Sequence, residues 1–258
     1  MLMIPKIIHY CWFGKTPKPK IVLKCIESWK RYCPDWEIIE WNETNFDVKQ
    51  HPYMKEAYER KRWAFVSDVA RLLIVYNHGG VYLDTDVELF RPLNDLLLDK
   101  VFFTFESDVY INTGVGFGCE KNHKSVEAML HYYDNRNFIK KGKVIARPCP
   151  AGNTEALKNV YTKFIPNGKA QRFDDVRILS LTEYQAIAVH HGTASWCNPA
   201  KRNAPYKDTW LKRVLRNPSR VQKVEKLFGR RIVHIYIFFA YDFLENGMIY
   251  FLKRFLKI

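Results

Sequence analysis

Asp84 and Asp86 stand one residue apart in GGVYLDTDVE (residues 79–88), behind two glycines and a short apolar run. In an extended segment residues i and i+2 point to the same face, so the two carboxylates are expected to converge while Thr85 turns away. Adjacent carboxylates repel unless a cation lies between them or one of them is protonated. Oxygen ligands of this kind suit a hard divalent ion, Mg2+ or Mn2+, which keeps positions open for water and phosphate oxygens. The expected arrangement is a buried strand over Val81–Leu83 whose terminal aspartates hold a metal, which in turn holds a diphosphate. The tripeptide alone equally fits a polar strand end with solvated aspartates, so its neighbours decide its meaning.

Those neighbours read as an α/β domain. KIIHYCWFG predicts a short buried strand, Ile7 to Trp12, that ends at Gly14 and a proline-rich loop. VLKCIESWKRY predicts a helix with Leu23, Ile26 and Trp29 at helical spacing, closed by Cys33-Pro34, and WEIIEW predicts a second strand. Strand, helix, strand is the opening of a parallel sheet. From Pro52 to Asn77 one long helical period places Ala57, Phe65, Val69, Leu72, Leu73 and Tyr76 on an apolar stripe, and Gly79-Gly80 stops it. VYLDTDVELF, FFTFES and INTGVGFGCE then form a strand-rich middle with short loops. Asp68 and Arg71 fall at i and i+3 of the long helix, where an ordinary surface ion pair is worth tenths of a kcal/mol.

Composition limits the classes that fit. A chain of 258 residues, 47% hydrophobic, can bury a sizeable core. Its six cysteines show no CxxC pair and no zinc-ligand spacing, so free thiols of a cytosolic protein are expected. The N-terminus lacks the basic and apolar regions of a secretory signal, and the longest apolar run, IVHIYIFFAY, is too short to span a bilayer. The formal net charge is +14, and residues 200–258 hold 14 Lys or Arg against 4 Asp or Glu. The basicity therefore belongs to the C-terminal segment rather than to the body.

Taken together, IPKIIHYCWFG, CIESWKRYCPDWEIIEWNETNFD, SDVARLLIVYNHGGVYLDTDVE and VHHGTASW resemble, in order, the blocks of the DxD sugar transferases of glycosyltransferase family 32. That family includes bacterial capsule and lipopolysaccharide transferases and is related to the clostridial glucosylating toxins. The resemblance implies a GT-A fold, a Rossmann-like mixed sheet flanked by helices, expected over residues 1–205, and the residue pattern of 206–258 predicts a basic, amphipathic helical appendage. It implies a nucleotide-sugar donor, a divalent metal (Mn2+ or Mg2+) and retention of anomeric configuration. Carried onto this chain, Trp12 matches the residue that stacks on the nucleotide base. Asp68 matches the aspartate touching the donor sugar, and Arg71 the arginine binding sugar or phosphate. Asp86 matches the direct metal ligand and Asp84 the residue reaching ribose and metal-bound water. Asn112 sits where the family has a polar residue near the donor sugar. His190, with His191 second, matches a metal or diphosphate ligand, and Ser195 and Trp196 match the pair that closes over the diphosphate.

The expected function is metal-dependent transfer of a sugar, from a UDP-sugar first and GDP-mannose second, to a glycan or lipid-linked acceptor in cell-surface polysaccharide synthesis. Two rivals differ in class. A haloacid-dehalogenase-type phosphatase would use Asp84 as nucleophile and Asp86 as acid or base, with Asp174-Asp175 as its late acidic pair, but its motif ends the first strand of its domain. A nucleic-acid-binding protein would use the basic segment for phosphate contacts, yet no recognition module is visible. Residues 206–258 alternate basic and apolar positions, as in helices lying on an anionic membrane surface, or else pack on the catalytic domain. The expected location is the cytoplasmic face of a membrane, with no nucleic-acid partner.

Overall fold

The structure, a computed structural model, describes residues 3–134, 136–145 and 149–192. Ser195, Trp196, the boundary at 205 and the appendage over 206–258 lie outside the described residues. In chain order the elements are β1 (Ile7–Cys11), α1 (Lys20–Tyr32), β2 (Glu37–Trp41), α2 (Pro52–Glu59), α3 (Trp63–His78), β3 (Gly80–Tyr82), β4 (Val87–Leu89), β5 (Val101–Thr104) and β6 (Phe117–Cys119). There follow α4 (Lys124–Asp134), β7 (Ile139–Lys140), β8 (Lys143–Val144), α5 (Cys149–Val160), β9 (Gln171–Phe173), β10 (Val176–Leu179), α6 (Leu181–Gln185) and β11 (Ala188–His190).

Seven strands form the main sheet in the order β2-β1-β3-β6-β5-β10-β9. Neighbours β2, β1 and β3 run parallel, as do β5 and β10, whereas β6 and β9 are antiparallel to their neighbours. This mixed α/β sheet, with the DxD leaving the end of β3, is the architecture that the family resemblance implies. Alternate strand residues feed two cores. Ile8, Tyr10, Val81, Leu83, Phe102 and Leu179 pack with Val22, Ile26 and Trp29 of α1. Cys11, Tyr82, Val101, Phe103 and Ile178 pack with Val69 and Leu72 of α3, Met129 of α4 and Leu157 of α5. A sheet covered on both faces is what its near-continuous apolar strands require.

Three expectations change. In α1 the buried face is Val22, Cys25, Ile26 and Trp29, while Leu23 is exposed. The long helix is two helices, because Lys61 adopts a left-handed φ of 56° and the chain turns between α2 and α3. The strand read through VYLDTDVELF is β3 and β4, separated by a turn in which Val87 N–H donates to the Asp84 carbonyl at 3.0 Å. Aspartate is favoured at the first position of such turns.

The approach to that turn is pinned from several sides. Gly79 caps α3 through its N–H to the Val75 carbonyl (2.8 Å), with φ of 69°, and Gly80 follows at φ of 97°. A β-carbon on Gly80 would lie 2.9 Å from His9 Nε2, so the close approach of β1 also requires glycine there. His9 ties the layers together: Trp41 Nε1–H donates to its Nδ1 (3.1 Å), which leaves Nε2–H to donate to the Gly79 carbonyl (2.8 Å). Burial pushes the His9 pKa down to about 4, so this imidazole is neutral, with both nitrogens satisfied. On the other side Trp29 Nε1–H donates to the Val87 carbonyl (2.7 Å) and the Ser28 hydroxyl accepts from Leu89 N–H (2.9 Å), which holds β4 against α1.

The five described cysteines, Cys11, Cys25, Cys33, Cys119 and Cys149, are free and buried. Among the described residues, no helix is long and apolar enough to cross a membrane.

Candidate active site

Beyond the end of β3, the Asp84–Val87 turn presents two carboxylates, and a second short sheet brings the third group. β11 pairs antiparallel with β4, with His190 opposite Val87, and His191 N–H donates to the Asp86 carbonyl at 2.9 Å. One ligand atom each from Asp84, Asp86 and His190 lie within 4.8 Å of one another. The aspartates thus converge through a turn rather than through the alternation of an extended strand. His190 Nε2 stands 3.1 Å from Asp86 Oδ1, whereas His191 faces away, with Nε2 2.9 Å from Glu88. Of the two histidines, His190 is the one that meets the DxD.

Asp68 and Arg71 do not form a surface pair. Their relative exposures are 7% and 3%, and Arg71 Nη2 lies 2.9 Å from Asp68 Oδ1 and 3.5 Å from Asp84 Oδ1. Arg71 Nε–H donates to the Ser67 carbonyl (2.9 Å), and its guanidinium lies 5.1 Å from the centre of the Tyr82 ring, whose hydroxyl donates to Asp84 (3.1 Å). Burial works against the Arg71 charge, but Asp84, Tyr82 and Asp68 outweigh it and hold its pKa well above the usual value. Burial pushes Asp68 up to about 6, a rise that Arg71 only partly offsets. A buried guanidinium shared by two carboxylates is a rigid device, because removing any member leaves a charge unpaired.

Gly114 marks the space in front of these groups. A β-carbon there would lie 2.3 Å from Asp84 Oδ2, 2.6 Å from Arg71 Nη1 and 3.0 Å from Asn112 Oδ1. The residue that closes this cradle is therefore one without a side chain, and carboxylate, guanidinium and amide face it together. Gly114→Ala is expected to push these groups apart and lower the kcat/KM of donor cleavage on the order of a hundredfold, the scale of a 1 Å misplacement. Steady-state kinetics beside a thermal melt check it, with activity falling far more than stability.

Trp12 follows the C-terminal end of β1, as the resemblance requires of a base-stacking residue. Its indole Nε1–H donates to the Thr16 carbonyl (2.7 Å), and Lys18 Nζ lies 5.8 Å from its ring centre. Asn112 is at the cradle, its Oδ1 accepting from Gly114 N–H at 2.7 Å. Glu106, a residue the motifs do not mark, accepts from Asn112 Nδ2 at 2.6 Å. Burial raises its pKa, and the Asn112 bond and the nearby His190 partly offset the rise. The buried Cys149 thiol lies 3.9 Å from Asn112 Oδ1. Asp174 and Asp175, the late acidic pair of the phosphatase alternative, are engaged elsewhere, by Lys163 and by His123 and Tyr161.

The donor set fits a divalent cation. Asp68, Asp84, Asp86 and Glu106 place four carboxylates around Arg71 and His190, an excess of negative charge. Two carboxylate oxygens suit a hard divalent ion, Mn2+ or Mg2+, and the imidazole favours Mn2+ of the two. Burial disfavours charge on His190, yet Asp86, Asp84 and Glu106 outweigh it and raise its pKa above the ordinary value. In the metal-free protein the His190–Asp86 ion pair is therefore fully present below about pH 6.5 and is lost as pH rises through the raised pKa. A metal needs the neutral imidazole, so Mn2+ affinity is expected to weaken as pH falls through that range, with proton release on binding. Titration calorimetry in two buffers of different ionisation enthalpy checks this, and His190→Gln is expected to flatten the dependence.

Residues 19–103 match the model for the glycosyltransferase sugar-binding region containing a DXD motif. The match takes in Asp68, Arg71, Asp84 and Asp86. The chain is 27% identical over 154 residues to inositol phosphoceramide mannosyltransferase 1 of Schizosaccharomyces pombe, covering 54% of this chain and 47% of that one. It is 23% identical over 211 residues to the mannosyl phosphorylinositol ceramide synthase SUR1 of Saccharomyces cerevisiae, covering 77% and 53%. A solved structure titled PaToxG Glycosyltransferase superposes with a TM-score of 0.47 at 17% identity, covering 62% of this chain and 70% of that one. The chain spans about half the length of these curated relatives. The family model and the relatives fall in the glycosyltransferase class that the resemblance implied. These two relatives are fungal enzymes named for inositol phosphoceramide mannosylation, whereas the expectation was bacterial capsule or lipopolysaccharide transferases.

Proposed function

We propose that this chain is a metal-dependent, retaining glycosyltransferase that moves a hexose from a nucleotide-sugar to a glycan or lipid-linked acceptor. The observation that carries the reading is the convergence of Asp84, Asp86 and His190 in front of the buried Arg71, beside the cradle at Gly114. Asp84, Asp86 and His190 would hold the ion, which supplies positive charge to offset the charge developing on the departing diphosphate. Arg71 is held by Asp68 and Ser67 so that Nη1 lies beside the cradle, a preorganised donor for a sugar or phosphate oxygen. Trp12 offers a flat face to the base. Asn112 and Asp68 border the donor sugar, and the resemblance assigns Ser195 and Trp196, outside the described residues, to the diphosphate.

The relatives' names carry mannose and inositol phosphoceramide, which supports a lipid-linked acceptor and a mannose donor such as GDP-mannose as well as the UDP-sugars. A thermal-shift screen of UDP-glucose, UDP-galactose, UDP-N-acetylglucosamine and GDP-mannose with Mn2+ tests the reading, because a ligand that binds only the folded state raises the melting temperature. One of these donors is expected to raise it in Mn2+ and not in EDTA. No shift with any of them would refute nucleotide-sugar binding.

Such an acceptor lies at a bilayer surface, and residues 200–258, with 14 Lys or Arg against 4 Asp or Glu, carry most of the +14 net charge, which supports peripheral binding on the cytoplasmic face. Sedimentation with phosphatidylserine vesicles is expected to pull down the full chain at low salt and release it at about 0.5 M NaCl, where screening is strong. Deleting residues 206–258 is expected to abolish this binding. Retention by neutral vesicles at high salt would contradict it.

A further inference from the structure

Glu106 lies on a hairpin that belongs to no signature motif. Phe105 bridges Ile111, Asn112 N–H donates to the Thr104 carbonyl (3.0 Å), and Glu106 N–H donates to the Tyr110 carbonyl (2.9 Å). Phe105 and Ile111 are fully buried, so alternation sends Glu106 and Asn112 to the opposite face. There the bonds run in series. Glu106 Oε2 accepts from Asn112 Nδ2 (2.6 Å), Asn112 Oδ1 accepts from Gly114 N–H (2.7 Å), and the Gly114 carbonyl accepts from Asp84 N–H (2.9 Å). The chemistry of the ends dictates how the amide is turned. A carboxylate can only accept and a backbone N–H can only donate, so Asn112 must show nitrogen to Glu106 and oxygen to Gly114.

We propose that Glu106 is a positioning residue of the donor and metal site, which locks the Asn112 amide and through it holds Gly114 and the start of the Asp84–Val87 turn. Without Glu106, Asn112 Nδ2 loses its charge-assisted partner and the side chain is free to leave Gly114 N–H. The cradle and the Asp84 carboxylate then lose a fixed position. Glutamine at 106 keeps an acceptor oxygen at the same reach, so a role that runs through the hydrogen bond survives that change. The consequence for the metal rests on the function proposed above, whereas the mechanical link does not.

The test is site-resolved amide hydrogen exchange on the metal-free full-length chain, with Mn2+ binding measured in parallel by the loss of free-ion paramagnetic resonance signal. Glu106→Ala is expected to speed exchange at Gly114 and Asp84 about tenfold, the effect of one hydrogen bond to a charged group, and to weaken Mn2+ binding similarly. Amides of β1 and α3 stay unchanged. Glu106→Gln, which keeps the acceptor but loses a charge that also faces His190, is expected to keep exchange at Gly114 and Asp84 close to the wild type and to weaken Mn2+ binding less than the alanine does. Asn112→Ala is expected to reproduce the Glu106→Ala exchange pattern, and the double variant to add nothing, as for two residues in one network. Unchanged exchange at Gly114 and Asp84 in Glu106→Ala would overturn the proposal. So would equal acceleration over the whole fold, additivity with Asn112→Ala, or a Glu106→Gln variant as fast as the alanine. Failure of the wild type to bind Mn2+ would instead overturn the metal reading, and the exchange result would still decide the role of Glu106.

Discussion

Arg71→Ala is expected to cost the fold about 3–5 kcal/mol and to remove donor cleavage altogether, the combination that marks a buried charge serving two carboxylates. In the wild type the guanidinium spans Asp68 at 2.9 Å and Asp84 at 3.5 Å with only 3% of its side chain exposed. Its loss leaves Asp68 buried without a counter-charge, and Asp68 answers by taking up a proton, since burial already pushes its pKa up to about 6. Asp84 loses its tether in the same step. Lysine cannot reproduce the fork that bonds Ser67, Asp68 and Asp84 together, so Arg71→Lys is expected to recover part of the stability and little of the activity. Urea unfolding of the three proteins, followed by nucleotide release from the donor, separates the two effects. Wild-type stability in Arg71→Ala would show that the pair is not buried as described.

Asp86→Ala is expected to act the other way, on chemistry with little effect on the fold. Asp86 sits at the tip of the Asp84–Val87 turn, and the backbone bond that ties its carbonyl to His191 N–H survives the change. What disappears is one of the three groups that converge with Asp84 and His190, together with the partner that raises the His190 pKa. Donor cleavage is expected to fall on the order of a thousandfold, the upper range for loss of one preorganised electrostatic group. Mn2+ affinity is expected to fall with it. A variant that lost activity while binding Mn2+ normally would assign Asp86 to the sugar rather than to the ion.

Much of the scaffold was legible before the structure. The order of β1, α1, β2, the glycine stop after α3 and the DxD at the end of a buried strand all follow from short-range patterns of apolar, glycine and proline residues. The break between α2 and α3 was not, because Lys61 takes a left-handed conformation that its side chain does not announce. The DxD stretch reads as strand in the sequence, since alternation and a turn both bring residues i and i+2 to one side, and only the Val87 N–H bond back to the Asp84 carbonyl tells them apart. The spacing of Asp68 and Arg71 alone fits a surface ion pair, and the resemblance assigns them to the donor; they are buried because α3 packs against β3 and α4, which is a long-range fact. His190 was preferred to His191 on resemblance; the register of β11 against β4 is the physical reason that it faces Asp86. Glu106 could not be found from spacing, because its partner Asn112 is reached only across a hairpin whose turn carries no distinctive residue pair.

Release of nucleoside diphosphate from a nucleotide-sugar, with Mn2+ and then with excess EDTA, tests most directly whether Asp84, Asp86 and His190 form a metal-dependent sugar-transfer site. Release is expected from a UDP-sugar or GDP-mannose in Mn2+, none above background in EDTA, and recovery when Mn2+ is restored. Equal release in EDTA and in Mn2+ would contradict the account.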